Sequence, residues 1–322
     1  MAMQNHWTGK RVVVTGGAGF LGSHIVKALR ERGCDHLVIP RSYEYDLRHE
    51  DHVTRLFSVA QPDLVIHAAG SVGGIGANMA NPGKFFYDNG IMGLHMIEGA
   101  RRVGLKKLVL IGTVCSYPKH ASAFKEDEFW NGYPEEVNAA YGLAKKMLLV
   151  QAQAYRQQYG LNTIYLILAN LYGPGERLDP ENSHVTTAII RKCLDAAQRR
   201  ADRIVLWGDG SPTRDFLYVA DAAEGIVLAT ERYNGAEPVN LGTGVETSIR
   251  TLAELVARLT NLSVPITWDT TKPNGQPRRI VDATRAKKTF GFQPRTSLEE
   301  GLRREIAWMQ GATRRSSGVF GA

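Results

Sequence analysis

The sequence predicts an α/β protein in which a doubly wound parallel sheet is followed by a smaller C-terminal α/β domain. Two observations predict this class. Short runs of β-branched and other apolar residues alternate with helix-length segments through the first half of the chain, and a glycine-rich turn directly follows the first run. Apolar strands that alternate with helices are typical of a parallel sheet covered on both faces.

Five strands are predicted in the first half, because each is a short run rich in Val, Ile and Leu. They cover residues 11–15, 36–39, 63–67, 107–111 and 163–168. Helices are predicted between them at residues 19–32, 82–103 and 139–159. The sequence lacks self-similarity at a fixed period, which excludes a repeat architecture.

The second half of the chain is less regular. Turn-rich segments lie at residues 173–180, 208–212 and 271–277, and amphipathic helices are predicted at 248–259 and 297–309. We therefore place the main boundary near Gly173. The first domain covers residues 1–173 with a returning segment near 217–242, the substrate domain covers 174–216 and 243–312, and residues 313–322 form a flexible tail.

Composition narrows the class of protein. Of the 322 residues 43% are hydrophobic and 22% are charged, which is ordinary for a globular chain. No stretch approaches the roughly 18 uninterrupted apolar residues of a membrane span, and residues 1–10 lack a signal-peptide core. The cysteines Cys34, Cys115 and Cys193 form neither a disulfide framework nor a zinc pattern. We expect a reduced, cytoplasmic protein without a metal.

The net charge of +7 comes from 39 basic and 32 acidic residues. Nucleic-acid binding favours basic residues clustered on one stripe, whereas here they are spread over the whole chain. The densest run, residues 199–203, includes an acid and is typical of a solvated helix end. We therefore expect neither a nucleic-acid nor a membrane partner; a phosphorylated small molecule fits the charge better.

The glycine-rich turn predicts a dinucleotide site. Gly16, Gly19 and Gly22 follow the first strand and open a helix, so that backbone N–H groups can approach a pyrophosphate at the helix N-terminus. This arrangement indicates a Rossmann-like domain. Arg41 follows the second strand, where an acid is typical of NAD binding and an arginine of a 2′-phosphate, so we expect NADPH. The predicted contacts from the turn are Gly16, Gly17, Ala18, Gly19, Phe20, Leu21 and Gly22.

Tyr141 and Lys145 lie four residues apart on a predicted helix and share one face. An ammonium beside a phenol favours the phenolate and lowers the tyrosine pKa from about 10. Such a tyrosine can exchange a proton with a sugar carbonyl or hydroxyl. Together with the glycine turn about 120 residues earlier and with Thr113 after the fourth strand, the pair predicts a catalytic site.

In these residues the chain resembles the extended short-chain dehydrogenase/reductase family. Within it the chain is most similar to the bifunctional 3,5-epimerase/4-reductases of GDP-4-keto-6-deoxy-mannose. The resemblance extends from about residue 10 to about 310. It is carried by HAAGSVGGIGAN at 67–78, GTVCSYPK at 112–119, NLYGP at 170–174, NSHV at 182–185, WGDGSPTRDF at 207–216 and KPNGQPRR at 272–279.

The resemblance implies that Cys115 and His184 are catalytic together with Tyr141, Lys145 and Thr113. A C4 ketone acidifies the protons on C3 and C5, and epimerisation needs one group to remove a proton and another to return it on the opposite face. A thiol serves as a base when a neighbouring cation favours its thiolate, and a histidine can donate a proton near neutral pH. Thr113 stands where the family has a serine.

The resemblance also implies ligand contacts and an assembly. Arg214 would pair with diphosphate oxygens, and Trp207 would pack on the nucleotide or sugar unless it is a core residue. Asn274 stands where the family often has aspartate, which weakens the case for guanine. A homodimer joined through the helices at 82–103 and 139–159 is expected. The implied substrate contacts are Lys192, Trp207, Arg214, Asn274 and Arg279; further cofactor contacts are Ile111, Gly112, Lys145, Leu168, Ala169, Asn170, Leu171 and His184.

Other activities on the same scaffold stay open. A 4,6-dehydratase usually carries an Asp-Glu pair after the threonine of the fourth strand, and Val114 and Cys115 at this place speak against it. A plain 4-epimerase does not need both Cys115 and His184, whereas a 4-ketoreductase could carry them without using them. A non-catalytic dinucleotide sensor would not need Tyr141 and Lys145.

Overall fold

The computed structural model describes residues 6–179, 183–272 and 274–317. Its strands are β1 (Arg11–Thr15), β2 (His36–Val38), β3 (Leu64–His67), β4 (Lys107–Thr113), β5 (Thr163–Leu168), β6 (Asn170–Tyr172), β7 (Ile204–Trp207), β8 (Thr213–Arg214), β9 (Phe216–Tyr218), β10 (Val239–Leu241), β11 (Thr247–Ser248), β12 (Ile266–Asp269) and β13 (Arg278–Arg279). Its helices are α1 (Phe20–Glu31), α2 (Glu50–Ala60), α3 (Ile75–Ala80), α4 (Pro82–Arg102), α5 (Glu136–Tyr159), α6 (Val185–Arg199), α7 (Val219–Arg232), α8 (Ile249–Leu259), α9 (Thr284–Phe290) and α10 (Leu298–Ser317).

The central sheet has six parallel strands in the order β10-β5-β4-β3-β1-β2, which confirms the predicted fold class. Each predicted strand is present with its bounds shifted by at most two residues. The order of the strands reverses between β1 and β3. In open α/β sheets, ligands bind beside such a reversal at the carboxyl ends of the strands. The fold therefore creates a crevice where β1, β3 and β4 end.

The helices form two groups, as expected when both faces of the sheet are covered. Helix α1 contacts α7, while α4 contacts both α2 and α5. Strands β3 and β5 are buried along their whole length, because helices cover them on both sides. The long helices α4 and α5 pack against each other, and α5 carries the predicted site residues Tyr141 and Lys145.

The hydrophobic residues form two large clusters. The first surrounds the central sheet, and the second joins α6, α8 and α10 to β7 and β9. Val281, Phe290 and Phe292 belong to the first cluster, although the sequence-based division assigns residues 243–312 to the other domain. The last helix continues to Ser317, beyond the predicted end at residue 309 and into the predicted tail. The remaining tail residues, 318–322, lie outside the described residues.

Small sheets complete the second part of the chain. Strand β8 pairs with β11 and β13, β7 pairs with β12, and β6 pairs with β9. The β8–β13 pairing brings residues from 213–214 and 278–279 side by side. None of the described helices is long and apolar enough to cross a membrane.

Candidate active site

The glycine turn closes tightly over the end of β3. Gly16 has a φ of +69°, and a Cβ on it would lie 2.8 Å from backbone atoms of Ala69. A Cβ on Gly22 would lie 2.0 Å from the carbonyl oxygen of Gly16. Within the described part of the chain no side chain caps the first turn of α1, and this turn holds no acid. The turn therefore has the shape and polarity that fit a pyrophosphate.

The other predicted cofactor contacts follow the same edge of the sheet. Arg41 is exposed three residues after β2, and Ile39 packs so closely on Gly17 that a Cβ there would lie 2.8 Å from its side chain. Ile111 and Gly112 lie at the carboxyl end of β4. Leu168, Ala169, Asn170 and Leu171 span the end of β5 and the start of β6. These positions lie at the carboxyl edge of the sheet, where the binding crevice is expected.

Tyr141 lies in a buried cluster at the end of β4. Its ring packs with Ala77 and Phe85, and Cys115 lies against the same cluster. Burial and the nearby Cys115 raise the pKa of Tyr141, and the Thr113 side chain opposes this change.

Lys145 is one turn further along α5 and is also buried. Burial lowers its pKa to about 8. The expectation that Lys145 lowers the pKa of Tyr141 is wrong in this structure, because both groups are removed from water and burial dominates their titration. Tyr165 donates to the carbonyl oxygen of Lys145 at 2.8 Å and so anchors this turn of α5 on β5.

Cys115 sits in a short 3₁₀ turn, Val114–Ser116, directly after β4. Its backbone N–H donates to Thr113 Oγ1 at 3.2 Å, and Ser116 Oγ donates to the carbonyl oxygen of Gly142 at 2.7 Å. The turn is thus tied both to the strand and to α5. Asn78, from the 67–78 motif, donates to the carbonyl oxygens of Gly73 and Gly74 and shapes the loop beside Cys115.

Arg279 reaches the thiol from the far side of the site. Its Nη1 lies 3.7 Å from Cys115 Sγ, its Nε donates to Gln276 at 2.8 Å, and its Nη2 pairs with Glu135. The guanidinium is almost fully buried. The sequence predicted a substrate contact here; the structure places the cation in contact with the Cys115 thiol.

Arg214 lies beside Arg279 through the β8–β13 pairing. It is 8% exposed, and its Nη1 donates to the carbonyl oxygens of Thr213 and Gln276, both at 2.7 Å. Burial and the charge of Arg279 lower the pKa of Arg214 to about 9. Arg214 and Arg279 thus bring two buried positive charges next to the carboxylate of Glu135. The excess of positive charge suits an anionic ligand.

His184 lies immediately before α6. Its ring Nδ1 and its backbone N–H both contact Glu176 Oε1. The surrounding protein lowers its pKa, but the hydrogen bond and charge of Glu176 outweigh this and raise the pKa above its ordinary value. The preceding segment packs on α1, where His24 Nε2 donates to the carbonyl oxygen of Pro174 at 2.9 Å. Asn182, of the same sequence motif, lies outside the described residues.

The remaining predicted substrate contacts lie further out. The Trp207 side chain is 58% exposed, so the alternative that it is a core residue is wrong. Lys192 Nζ donates to the carbonyl oxygen of Val205 at 2.7 Å. Asn274 Oδ1 accepts from the N–H of Asp209 at 2.8 Å.

Sequence reasoning missed three polar residues of the site: Glu135, Glu176 and Gln276. Each acts on a predicted site residue through a side-chain contact or a backbone carbonyl. Only position in the chain could have pointed to them. Glu135 directly precedes α5, Glu176 lies between the NLYGP motif and His184, and Gln276 lies within the KPNGQPRR segment.

The comparisons with known proteins identify the family of the chain. The profile of the NAD dependent epimerase/dehydratase family matches residues 12–242. GDP-L-fucose synthase from Sinorhizobium fredii is 40% identical over 295 residues, 91% of this chain and 93% of that protein. GDP-L-fucose synthase 1 from Arabidopsis thaliana is 39% identical over 92% of each chain. A GDP-L-fucose synthetase from Naegleria fowleri, solved bound to NADP, matches with a TM-score of 0.87 at 25% identity, covering 95% of each chain.

A family profile that covers most of the chain, relatives of this identity along nearly its full length and the shared fold lead to one conclusion. The chain belongs to the NAD dependent epimerase/dehydratase family and, within it, to the family of the GDP-L-fucose synthases.

Proposed function

We propose that this protein is an NADPH-dependent enzyme that epimerises and reduces GDP-4-keto-6-deoxy-mannose to GDP-L-fucose. One observation carries the proposal: Cys115, paired with the buried Arg279, lies against the same cluster as Tyr141. A group suited to move protons beside the ketone and a group suited to protonate its oxygen thus share one site. Relatives that carry the name GDP-L-fucose synthase support the choice of substrate.

The turn from Gly16 to Gly22 would hold the pyrophosphate of the cofactor, since side chains there would collide with backbone. The exposed guanidinium of Arg41 would face the 2′-phosphate. Lys145 and the residues at the ends of β4 and β5 would line the nicotinamide side of the crevice. When bound, NADPH supplies the hydride that reduces the C4 ketone.

The epimerisation step is assigned to Cys115 and His184. A base removes a proton from the carbon beside the ketone, and an acid on the opposite face returns one. Arg279 lies against Cys115 Sγ and would stabilise the thiolate that acts as the base. His184, held by Glu176 with its pKa raised, would supply the returning proton.

The reduction step is assigned to Tyr141 and Thr113. The Thr113 side chain lies near enough to Tyr141 to act on its pKa, so both hydroxyl groups would face the same substrate oxygen. Burial raises the pKa of Tyr141 and keeps the phenol protonated, as a proton donor to O4 requires. The methyl group of Thr113 makes this part of the pocket narrower than a serine would.

Arg214 is assigned to the diphosphate because its buried charge exceeds what nearby carboxylates neutralise. Trp207 presents an exposed ring to which a base or sugar can stack. Lys192, Asn274 and Arg279 complete the set of proposed contacts.

The purified protein, given GDP-4-keto-6-deoxy-mannose and NADPH, tests this function. We expect consumption of NADPH and, by product NMR, GDP-L-fucose. A product reduced at C4 but not inverted at C3 and C5 would instead identify a 4-ketoreductase. Interconversion of other nucleotide sugars at C4 without net use of NADPH would identify a 4-epimerase, and no turnover with any 4-keto sugar nucleotide would reject an enzyme of this class.

Replacing Arg41 with alanine should weaken NADPH binding and leave NADH binding nearly unchanged, because only NADPH carries the 2′-phosphate. A charge-assisted hydrogen bond contributes roughly 1.5–3 kcal/mol, which is about 10- to 100-fold in Kd. Fluorescence titration of both cofactors measures the effect. Equal losses for NADPH and NADH would contradict the assignment of Arg41.

A homodimer through α4 and α5 is the proposed assembly. Large apolar side chains are exposed on these helices: Phe86 (45%), Tyr87 (60%), Val150 (50%) and Tyr159 (48%). A second copy would bury them. Light scattering at micromolar concentration should give about twice the 35.5 kDa chain mass, and the mass of one chain would reject the dimer.

The cytoplasm is the proposed location of the enzyme. Cys34, Cys115 and Cys193 are all free thiols in the structure, and the proposed role of Cys115 requires it to stay reduced. A reducing compartment preserves such thiols. Fractionation of the source cell that placed the chain in an exported fraction would contradict this location.

A further inference from the structure

A chain of buried polar groups runs from His184 into the second part of the protein. Glu176 Oε1 accepts from the backbone N–H of His184 at 3.1 Å and contacts the ring Nδ1. Glu176 is 3% exposed, whereas the His184 ring is 44% exposed. Since Nδ1 is engaged by Glu176, Nε2 is the ring nitrogen available to exchange a proton with a ligand.

Thr187, on the first turn of α6, continues the chain. Its Oγ1 lies 2.8 Å from Glu176 Oε2 and 2.6 Å from Glu305 Oε1. A hydroxyl has one proton and can donate to only one carboxylate. One of the two carboxyl groups must therefore carry a proton itself and donate it to Thr187 Oγ1.

The surroundings decide which carboxyl group is protonated. Glu305, on α10, is fully buried, and among the described residues its Oε2 has no hydrogen-bond partner. Burial raises the pKa of Glu305 to about 7. Glu176, in contrast, accepts from the N–H of His184 and contacts both the His184 ring and the Thr187 hydroxyl, so its two oxygens serve as acceptors.

We infer that Glu176 is the positioning residue of His184, and that neutral Glu305 supplies Thr187 with a proton so that the Thr187 hydroxyl can donate to Glu176. The inference rests on the proposed function for the role of His184 as an acid. Glu176 holds Nδ1–H and keeps Nε2 directed to the ligand, as an orienting carboxylate does for a catalytic histidine in other enzymes. Among the described residues, the charged or titratable groups that act on this chain are Glu176, Arg177, His184, Tyr172 and Glu305.

The decisive experiment follows the titration of the His184 ring by NMR in protein with ¹³C-labelled histidine. His184→Asn assigns the resonance. The wild-type ring should titrate above pH 6.5, and Glu176→Gln should move its midpoint down, because the favourable charge is lost. Glu305→Gln should move the midpoint much less, since its amide can donate to Thr187 as the neutral acid does. Glu300→Gln removes an exposed carboxylate of the same helix and serves as the control.

The same variants are then assayed for deuterium uptake at C3 and C5 of the substrate. Glu176→Gln should slow this exchange at least about tenfold and shift its decline with pH to lower pH. The inference is overturned if the wild-type midpoint lies at or below pH 6.5, or if Glu176→Gln leaves the midpoint unchanged. The wild-type measurement decides the first point even if the variant does not fold. A midpoint lowered as much by Glu305→Gln as by Glu176→Gln overturns the protonation of Glu305. A lowered midpoint with unchanged exchange supports the hydrogen-bonded chain and instead rejects His184 as the acid of the proposed function.

Discussion

Cys115→Ser should lose deuterium incorporation at C3 and C5 of the 4-keto sugar nucleotide, by at least about 10² in rate. A hydroxyl is a far poorer base than a thiol, and a neighbouring guanidinium such as that of Arg279 cannot ionise a serine at neutral pH. The Thr113–Tyr141 pair stays intact in this variant. It should therefore still reduce the unepimerised ketone with NADPH, giving a product of different stereochemistry.

Proton NMR of the substrate in deuterated water, with and without NADPH, measures both activities. Cys34→Ser is the matched control, because Cys34 lies in the first hydrophobic cluster at the end of α1 and away from the site. Exchange by Cys115→Ser at the wild-type rate would refute the epimerase mechanism and make a simple 4-ketoreductase the better interpretation.

Tyr141→Phe should show the opposite pattern, with deuterium exchange kept and hydride transfer slowed by about 10² to 10⁴. Phenylalanine keeps the ring that packs with Ala77 and Phe85 but removes the hydroxyl that protonates O4. Single-turnover oxidation of NADPH, followed by absorbance, gives the rate directly.

Tyr155→Phe is the control on the same helix, since its hydroxyl bonds Glu98 at 3.1 Å and takes no part in the proposed chemistry. If Tyr141→Phe reduced the ketone as fast as the wild type, another proton donor would have to replace Tyr141. If it instead lost exchange and reduction together, the separation of the two half-reactions would be wrong.

The predicted strands and the fold class are properties of local sequence. Alternating apolar strands and helices, with a glycine turn after β1, leave a parallel sheet as the arrangement that buries both faces. The residue types at Tyr141, Lys145 and Cys115 likewise point to proton transfer, because a phenol, an amine and a thiol can each gain or lose a proton. These motifs could therefore be identified from the sequence alone.

Other features depend on contacts between distant segments, which no local pattern records. Arg279 is 164 residues from Cys115 in the chain, and its guanidinium meets the thiol only in the folded protein. The pKa of Tyr141 is raised rather than lowered because folding removes the phenol and Lys145 from water together.

The sequence alone determined the fold class and the dinucleotide turn, and it supplied the side chains proposed to react, because these depend on periodicity and residue type. The tertiary structure decided which groups act on which. It exposed Trp207, paired Arg279 with Glu135, and joined His184 to Glu305 through Glu176 and Thr187. The physical reason is that partners and burial set the charge and orientation of a polar group, and both arise only when remote parts of the chain pack together.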